Sequence, residues 1–120
     1  MLTTVYLGGK MFGSTLEETA KLVRAAMGFQ RKLFELGFWV FCPATNCLLA
    51  QFAIQVMLER IVVGNLTQME HCDIVFMPPN WKASLEANTE RAHALMLHKP
   101  VFYSIPQVKR WLEKGGGSSS

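Results

Sequence analysis

The sequence is poor in charged residues, and its basic residues are not clustered. Only 18% of the 120 residues are charged, and the formal net charge is +3. Lys and Arg are scattered along the chain, without the runs that are typical of tails binding nucleic acid. We therefore expect no nucleic-acid polymer as a partner. A mild positive balance is compatible with a phosphorylated small molecule.

Cysteine is equally scarce. Cys42, Cys47 and Cys72 make an odd number, and no two of them form a CxxC pair. This pattern argues against a disulfide framework and against a zinc site. The histidines show no metal-ligand spacing with carboxylates, so neither a metal nor another cofactor is expected. Reduced thiols are typical of a cytoplasmic protein, which is the location we expect.

No hydrophobic run is long enough to predict a membrane span. The most apolar stretch, Cys47–Leu58, is too short and contains Gln51 and Gln55. Met1–Lys10 has the pattern of a strand and a glycine turn rather than of a secretory signal. The residues after 113 end in GGGSSS, which is typical of a flexible linker or a cloning remnant. We therefore expect no membrane partner, one domain over residues 1–113 and a tail over residues 114–120.

Short apolar segments alternate with longer segments of helical periodicity. The predicted strands are Thr3–Leu7, Phe38–Cys42, Asp73–Met77 and Val101–Tyr103. This alternation predicts a compact Rossmann-like (flavodoxin-like) α/β fold, with a parallel sheet of about four to five strands and helices on both faces. The first predicted helix begins at a Ser14–Glu17 capping box and ends at Leu36. An apolar helix is predicted over Leu48–Val63, with a break at Gly64, and Asn65 would cap a short helix after it. The last two predicted helices cover Ala83–Leu97 and the residues after Pro106.

The loop after the first strand is rich in glycine. Ligands of open parallel sheets bind beyond the carboxyl ends of the strands, where this loop should lie. Glycine permits close backbone approach, and the N-terminus of the following helix favours an anion. The loop matches neither GxGxxG nor a Walker A motif. A tight structural turn explains the same residues equally well. The loop begins with Gly8, Gly9, Lys10 and Met11.

One carboxylate falls on an apolar helical stripe. Glu90 is spaced at helical intervals with Ala87 and Ala94, so its side chain should face the core. A buried carboxylate without a partner is costly, which indicates a partner or a function. In the alternative interpretation the helix is rotated, so that Leu85 and Met96 are buried and Glu90 is in water.

Three motifs resemble the nucleoside 2-deoxyribosyltransferase superfamily. They are Val5–Met11 (VYLGGKM), Cys72–Phe76 (CDIVF) and Ser84–Glu90 (SLEANTE). Their order and spacing are similar to those of the 2'-deoxynucleoside 5'-phosphate N-hydrolases and of a related phage and bacterial domain of unassigned function. The resemblance extends from residue 3 to about residue 105.

The resemblance implies roles for individual residues. Glu90 would attack the anomeric carbon of a (deoxy)ribose, Tyr6 would orient that carboxylate, and Ser84 would help to bind a 5'-phosphate. Trp81 either stacks on a base or covers the core. The expected substrate-binding residues are Gly8, Gly9, Lys10, Met11, Trp81, Ser84 and Asn88.

Two positions depart from the family pattern. Asn65 stands where the family has an Asp as general acid, and Glu86 stands where it prefers Gly. An amide cannot donate a proton as an acid does, and Glu86 would repel a phosphate unless it points to solvent. Two hypotheses therefore remain open: an enzyme that cleaves or transfers an N-glycosidic bond, with Glu90, Tyr6 and Asn65 as its catalytic residues, and a catalytically weak module that binds a nucleotide-like ligand. A pure assembly protein would bind no nucleotide at all.

The apolar segment Leu48–Val63 is the predicted dimer surface. Its hydrophobic residues cover most of the circumference of a helix. In so small a chain this favours a homodimer or a higher homo-oligomer.

Overall fold

Four parallel strands form the sheet in the computed structural model, which describes residues 2–10, 13–43 and 55–116. Their order is β2-β1-β3-β4, as in the first four strands of a flavodoxin-like sheet. β1 is central, with Tyr6 opposite both Phe41 and Val75. The strands are β1 (Thr4–Leu7), β2 (Trp39–Phe41), β3 (Ile74–Phe76) and β4 (Val101–Phe102).

Helices cover both faces of the sheet, as predicted. In the described residues they are α1 (Leu16–Glu35), α2 (Gln55–Glu70), α3 (Leu85–Met96) and α4 (Ile105–Glu113), with a 3-10 turn at Trp81–Ala83. α1 and α4 pack on one face, and α2 and α3 pack on the other. The predicted Rossmann-like α/β fold is therefore confirmed. In the described part of the chain, no helix is both long and apolar enough to cross a membrane.

The alternation of side chains along β1 divides the core into two parts. Val5 and Leu7 face α1 and α4, where they pack with Val23, Leu33 and Val108. Tyr6 points to the opposite face and packs among side chains of α2 and α3. The strand thereby delivers one phenol hydroxyl toward α3.

The start of α1 lies one residue later than predicted. Thr15, not Ser14, is the N-cap, and its hydroxyl accepts a hydrogen bond from the Glu18 backbone N–H at 3.1 Å. The Glu18 carboxylate accepts from the Ser14 backbone and hydroxyl at 2.8 and 2.7 Å. Ser14–Glu17 and Thr15–Glu18 have the same capping-box spacing, so the sequence pattern could not choose between them. The predicted end of α1 is confirmed by Leu36 as C-cap and by Gly37 at φ +95°.

The predicted helix break at Gly64 is wrong. α2 runs without interruption from Gln55 to Glu70, so Asn65 lies inside the helix and does not cap a new one. A helical glycine costs about 1 kcal/mol relative to alanine. Burial of Met69 and partial burial of Leu66 against the sheet outweigh that cost. The part of the predicted helix before Gln55 lies outside the described residues.

Candidate functional site

Tyr6, Gly9 and Glu90 meet beyond the carboxyl end of β1. The Tyr6 hydroxyl donates a hydrogen bond to Glu90 Oε2 at 2.5 Å, and the Gly9 backbone N–H donates one to Glu90 Oε1 at 3.1 Å. Each carboxylate oxygen therefore has its own donor, and the two donors come from one strand and the turn that follows it. This arrangement fixes the position and the plane of the carboxylate.

The orientation of α3 places Glu90 against the sheet. The Glu90 residue is only 8% exposed, and Ala87 and Ala94 on the same stripe are buried. Leu85 and Met96 are 82% and 70% exposed, so the rotated alternative does not occur. The predicted helix over Ala83–Leu97 began too early, because the α-helix begins only after the N-cap Ser84 and leaves Ala83 in the 3-10 turn.

Two glycines allow the carboxylate to approach the backbone of the turn. A Cβ atom on Gly8 would lie 3.0 Å from Glu90 Oε1 and 2.8 Å from Met77 Sδ. Gly9 has φ +114°, and a Cβ atom there would lie 2.9 Å from Pro78 Cδ. Any larger residue would therefore push against the carboxylate or strain the turn. The close approach at these glycines is made by the protein's own Glu90 and Pro78; their predicted contact with a ligand stays a prediction.

A cavity of about 210 Å³ opens beside the carboxylate. Gly9 and Glu90 lie at one wall, and Asn65 lies on α2 in the same cavity. Glu86 and Thr89 add polar groups from α3. The remaining described lining residues are apolar: Pro43, Ile61, Val62, Leu66 and Leu85. The cavity thus combines one firmly held carboxylate with largely apolar walls, as ligand sites commonly do.

Sequence reasoning included Asn65 in the site, through the family resemblance, but missed the apolar residues of α2 that line the cavity beside it. Ile61 and Asn65 are four residues apart, as are Val62 and Leu66, so each pair lies on one face of a continuous helix. The supposed break at Gly64 concealed this pattern. A helix carried through Gly64 would have placed Asn65 beside the apolar residues that line the cavity.

Burial raises the pKa of the Glu90 carboxyl to about 7. Loss of hydration is the largest cause, because the charged form is disfavoured away from water. The hydrogen bonds from Tyr6 and Gly9 lower the pKa, and the nearby Glu86 carboxylate raises it. Glu90 therefore changes protonation state near neutral pH, and only its ionised fraction can act as a nucleophile.

This raised pKa predicts a loss of stability on going from acid to neutral pH. Between the ordinary value of 4.5 and about 7, the folded protein binds a proton that the unfolded chain has released. The free energy of unfolding should therefore fall as the pH rises through this window, by about 3 kcal/mol in total. Glu90→Gln removes the titrating group and should flatten this part of the profile. Urea unfolding at a series of pH values tests the expectation, and parallel profiles for the two proteins would contradict it.

Ser84 does not line the cavity wall that Glu90 occupies. Its hydroxyl accepts a hydrogen bond from the Ala87 backbone N–H at 3.2 Å and donates one to Glu86 Oε2 at 2.8 Å. The carboxylate of Glu86 thus occupies the first turn of α3, where the predicted phosphate would have been held. Ser84 is therefore the N-cap of α3.

Two further predicted substrate-binding residues, Lys10 and Asn88, have side chains that lie away from the carboxylate. Lys10 borders a second cavity, on the α1 side of the turn, together with Pro78 and Asn80. Asn88 donates from its amide nitrogen to three backbone carbonyls, those of Trp81, Lys82 and Ser84. It therefore ties the 3-10 turn to α3. Met11 lies outside the described residues.

The side chain of Trp81 contacts the protein itself. Its ring lies 5.6 Å from that of Tyr103, and the Arg91 guanidinium lies over it at 4.8 Å from the ring centroid. Trp81 also packs against the core that contains Tyr6. Of the two interpretations of this residue, the structure favours covering the core.

A protein-family model described as "Domain of unknown function (DUF4406)" matches residues 3–103. The chain belongs to this family. The match spans β1 to the residue after β4, so the DUF4406 region includes Tyr6, Gly9, Asn65 and Glu90, whereas α4 lies beyond it. No curated protein and no solved structure matches the chain. Since the description of the DUF4406 family names no activity, a function has to be argued from the site.

Proposed function

We propose that this protein cleaves or transfers the N-glycosidic bond of a (deoxy)nucleoside or nucleoside 5'-monophosphate, with Glu90 as nucleophile. The observation that carries the proposal is the carboxylate itself. It is almost fully buried, both oxygens are held, and it adjoins a largely apolar cavity. The resemblance to the nucleoside 2-deoxyribosyltransferase superfamily assigns the same role to the same residue.

The reaction would proceed in two steps. In the first, one oxygen of Glu90 forms a bond to C1' of the sugar, and the base departs with the electron pair of the C1'–N bond and takes up a proton. In the second, water or another base attacks C1' and releases Glu90. Tyr6 would keep the carboxylate aligned, and the apolar walls would limit the access of competing water.

Asn65 favours a second candidate function. It lies in the cavity with Glu90, and its amide can hydrogen-bond a base without supplying a proton. A module that binds a nucleotide-like ligand and cleaves it slowly or not at all fits this substitution.

In either case we propose a cytoplasmic protein that acts on a small molecule. Exposed Val62 and Val63 on α2 support a homodimer.

The test is to incubate the protein with deoxynucleosides, ribonucleosides and their 5'-monophosphates. Chromatography measures the released base, and mass spectrometry of the quenched protein looks for one glycosyl group on the peptide that contains Glu90. Base release with this adduct supports the enzyme. Tight binding without release supports the binding module. If the protein shows neither binding nor base release, both candidate functions are contradicted.

A further inference from the structure

Among the described residues that line the cavity, the ionisable side chains are all acidic. Glu86 and Glu90 line it, and none of its described lining residues is Lys or Arg. The internal segments outside the description, residues 11–12 and 44–54, contain no Lys, Arg, His, Asp or Glu. They can therefore add neither a basic side chain nor a further carboxylate to the site.

The basic side chains of Arg91 on α3 and of Lys10 in the turn after β1 have contacts away from this cavity. Arg91 lies over Trp81, and its Nε donates a hydrogen bond to the Tyr103 hydroxyl at 2.8 Å. Lys10 borders the second cavity, and its charge acts on Glu18 of α1. Neither cation offsets the two carboxylates of the first cavity.

The described lining also offers no acid to protonate a departing base. Asn65 is an amide, and the Thr89 hydroxyl donates its hydrogen to the Leu85 carbonyl at 2.9 Å. Glu86 accepts the hydroxyl hydrogen of Ser84, as a carboxylate does. Glu90 must itself be ionised to attack. A neutral base would therefore have to depart without a proton from these groups, which is unfavourable.

We propose, on the basis of the proposed function, that the preferred substrate is a nucleoside whose base is already a cation, such as a pyridinium or N-alkylated purine, and that lacks a 5'-phosphate. Glu90 forms the bond to C1', and the electron pair of the C1'–N bond neutralises the positive base. The base leaves neutral, without any proton transfer. Water then adds at C1', its proton is released, and the free sugar and the Glu90 carboxylate are restored.

The same charges account for the exclusion of phosphate. The Glu86 carboxylate takes the place at the N-terminus of α3 that an anion would occupy. A second anion there would meet the like charge of the exposed Glu86 carboxylate, whereas a cationic base would be attracted by both carboxylates. The site is therefore matched to a ligand of the opposite charge.

Nicotinamide riboside is a suitable probe, because its pyridinium base is cationic. Dihydronicotinamide riboside is a neutral analogue of similar shape, and nicotinamide riboside 5'-phosphate differs from the riboside only by the added phosphate. We expect nicotinamide riboside to bind at least about tenfold more tightly than the dihydro form or the 5'-phosphate. We also expect its base to be released at least about tenfold faster than that of any neutral nucleoside, after subtraction of spontaneous hydrolysis. Calorimetry and chromatography give the two readouts.

Glu86→Gln tests the origin of the preference. It should reduce the discrimination between the riboside and its 5'-phosphate severalfold. Glu59→Gln removes the same charge from an exposed position of α2 and should leave that discrimination unchanged. Thermal unfolding of both variants establishes that they are folded.

The outcomes separate this inference from the proposed function. Efficient Glu90-dependent release from neutral nucleosides, with no advantage for the riboside, would overturn the inference and leave the proposed function intact. If no base is released from any substrate, the proposed enzyme is wrong. The dissociation constants then decide the inference: equal values for the three ligands overturn it, and tighter binding of the cation supports it as a binding preference.

Discussion

Replacing Glu90 by glutamine is expected to reduce base release by at least about 10⁴-fold and to abolish the glycosyl adduct. An amide oxygen is a poor nucleophile toward C1', so the first bond would not form. Glutamine has nearly the same shape, and its oxygen can still accept the hydrogen bond from Tyr6, whereas its amide nitrogen cannot accept the one from the Gly9 backbone N–H. The loss should therefore reflect chemistry rather than a collapse of the cavity. Single-turnover release of base, with protein in excess over substrate, measures the effect directly.

The matched control is Glu113→Gln. Glu113 is exposed at the end of α4, on the other face of the sheet, and its substitution removes the same charge. We expect its rate to equal that of the unmodified protein. Circular dichroism and thermal unfolding would show that both variants fold. Substantial base release by a folded Glu90→Gln protein would rule out a Glu90 nucleophile.

Replacing Asn65 by aspartate is expected to increase cleavage of neutral nucleosides by about 10²–10⁴-fold. Asn65 and Glu90 line the same cavity, so an acid at position 65 would be available to the departing base. A cationic base needs no proton, and its release should change by no more than a few fold. The comparison of the two substrates therefore distinguishes proton donation from a general change in binding.

A pH profile makes this prediction stricter. The carboxyl group introduced by Asn65→Asp would have to be protonated to act on neutral substrates, so their rate should fall at high pH in the variant. Asn80→Asp provides the control, because Asn80 is an exposed loop residue that borders the second cavity. An Asn65→Asp protein that cleaves neutral nucleosides no faster than the Asn80→Asp protein would argue against a proton-donor position on α2.

Local periodicity predicted the burial of Glu90 but left a rotated helix open, and the packing of α3 in the structure decided between the two. Ala87, Glu90 and Ala94 share one face of α3. Leu85 and Met96, which the alternative would bury, lie outside this face. The order of strands and helices was likewise predictable from local periodicity. Each predicted strand has Gly or Pro next to at least one of its ends, and alternation of the two element types favours a parallel sheet.

The contacts of the other site residues were not predictable, because they depend on the direction in which each side chain points and not on spacing along the sequence. Lys10 follows Gly9 in sequence, but the positive φ of Gly9 turns the chain, and Lys10 borders the cavity on the α1 side. Ser84 has the expected position at a helix N-terminus, yet its hydroxyl is engaged by a side chain two residues away. Such choices are made by three-dimensional contacts that a linear pattern does not contain.

The continuity of α2 depended on a balance of energies. The cost of Gly64 in a helix is comparable with the contribution of one partly buried apolar side chain. A sequence pattern records the glycine but not the sheet against which Leu66 and Met69 pack. The error at Gly64 also displaced the expected role of Asn65, because a cap and a cavity wall require different orientations of the same side chain.

The alternation of side chains along β1 has a consequence for how the domain can change. Val5 and Leu7 belong to one half of the core, and Tyr6 belongs to the other. Substitutions in the half of the core between α1, α4 and the sheet can therefore alter stability while the pocket is preserved. Substitutions of residues that line the pocket leave the α1 and α4 half of the core intact. A single-residue insertion within β1 would instead exchange the two sides of the strand, so natural or engineered diversity in this domain should come from replacing residues there and not from changing its length.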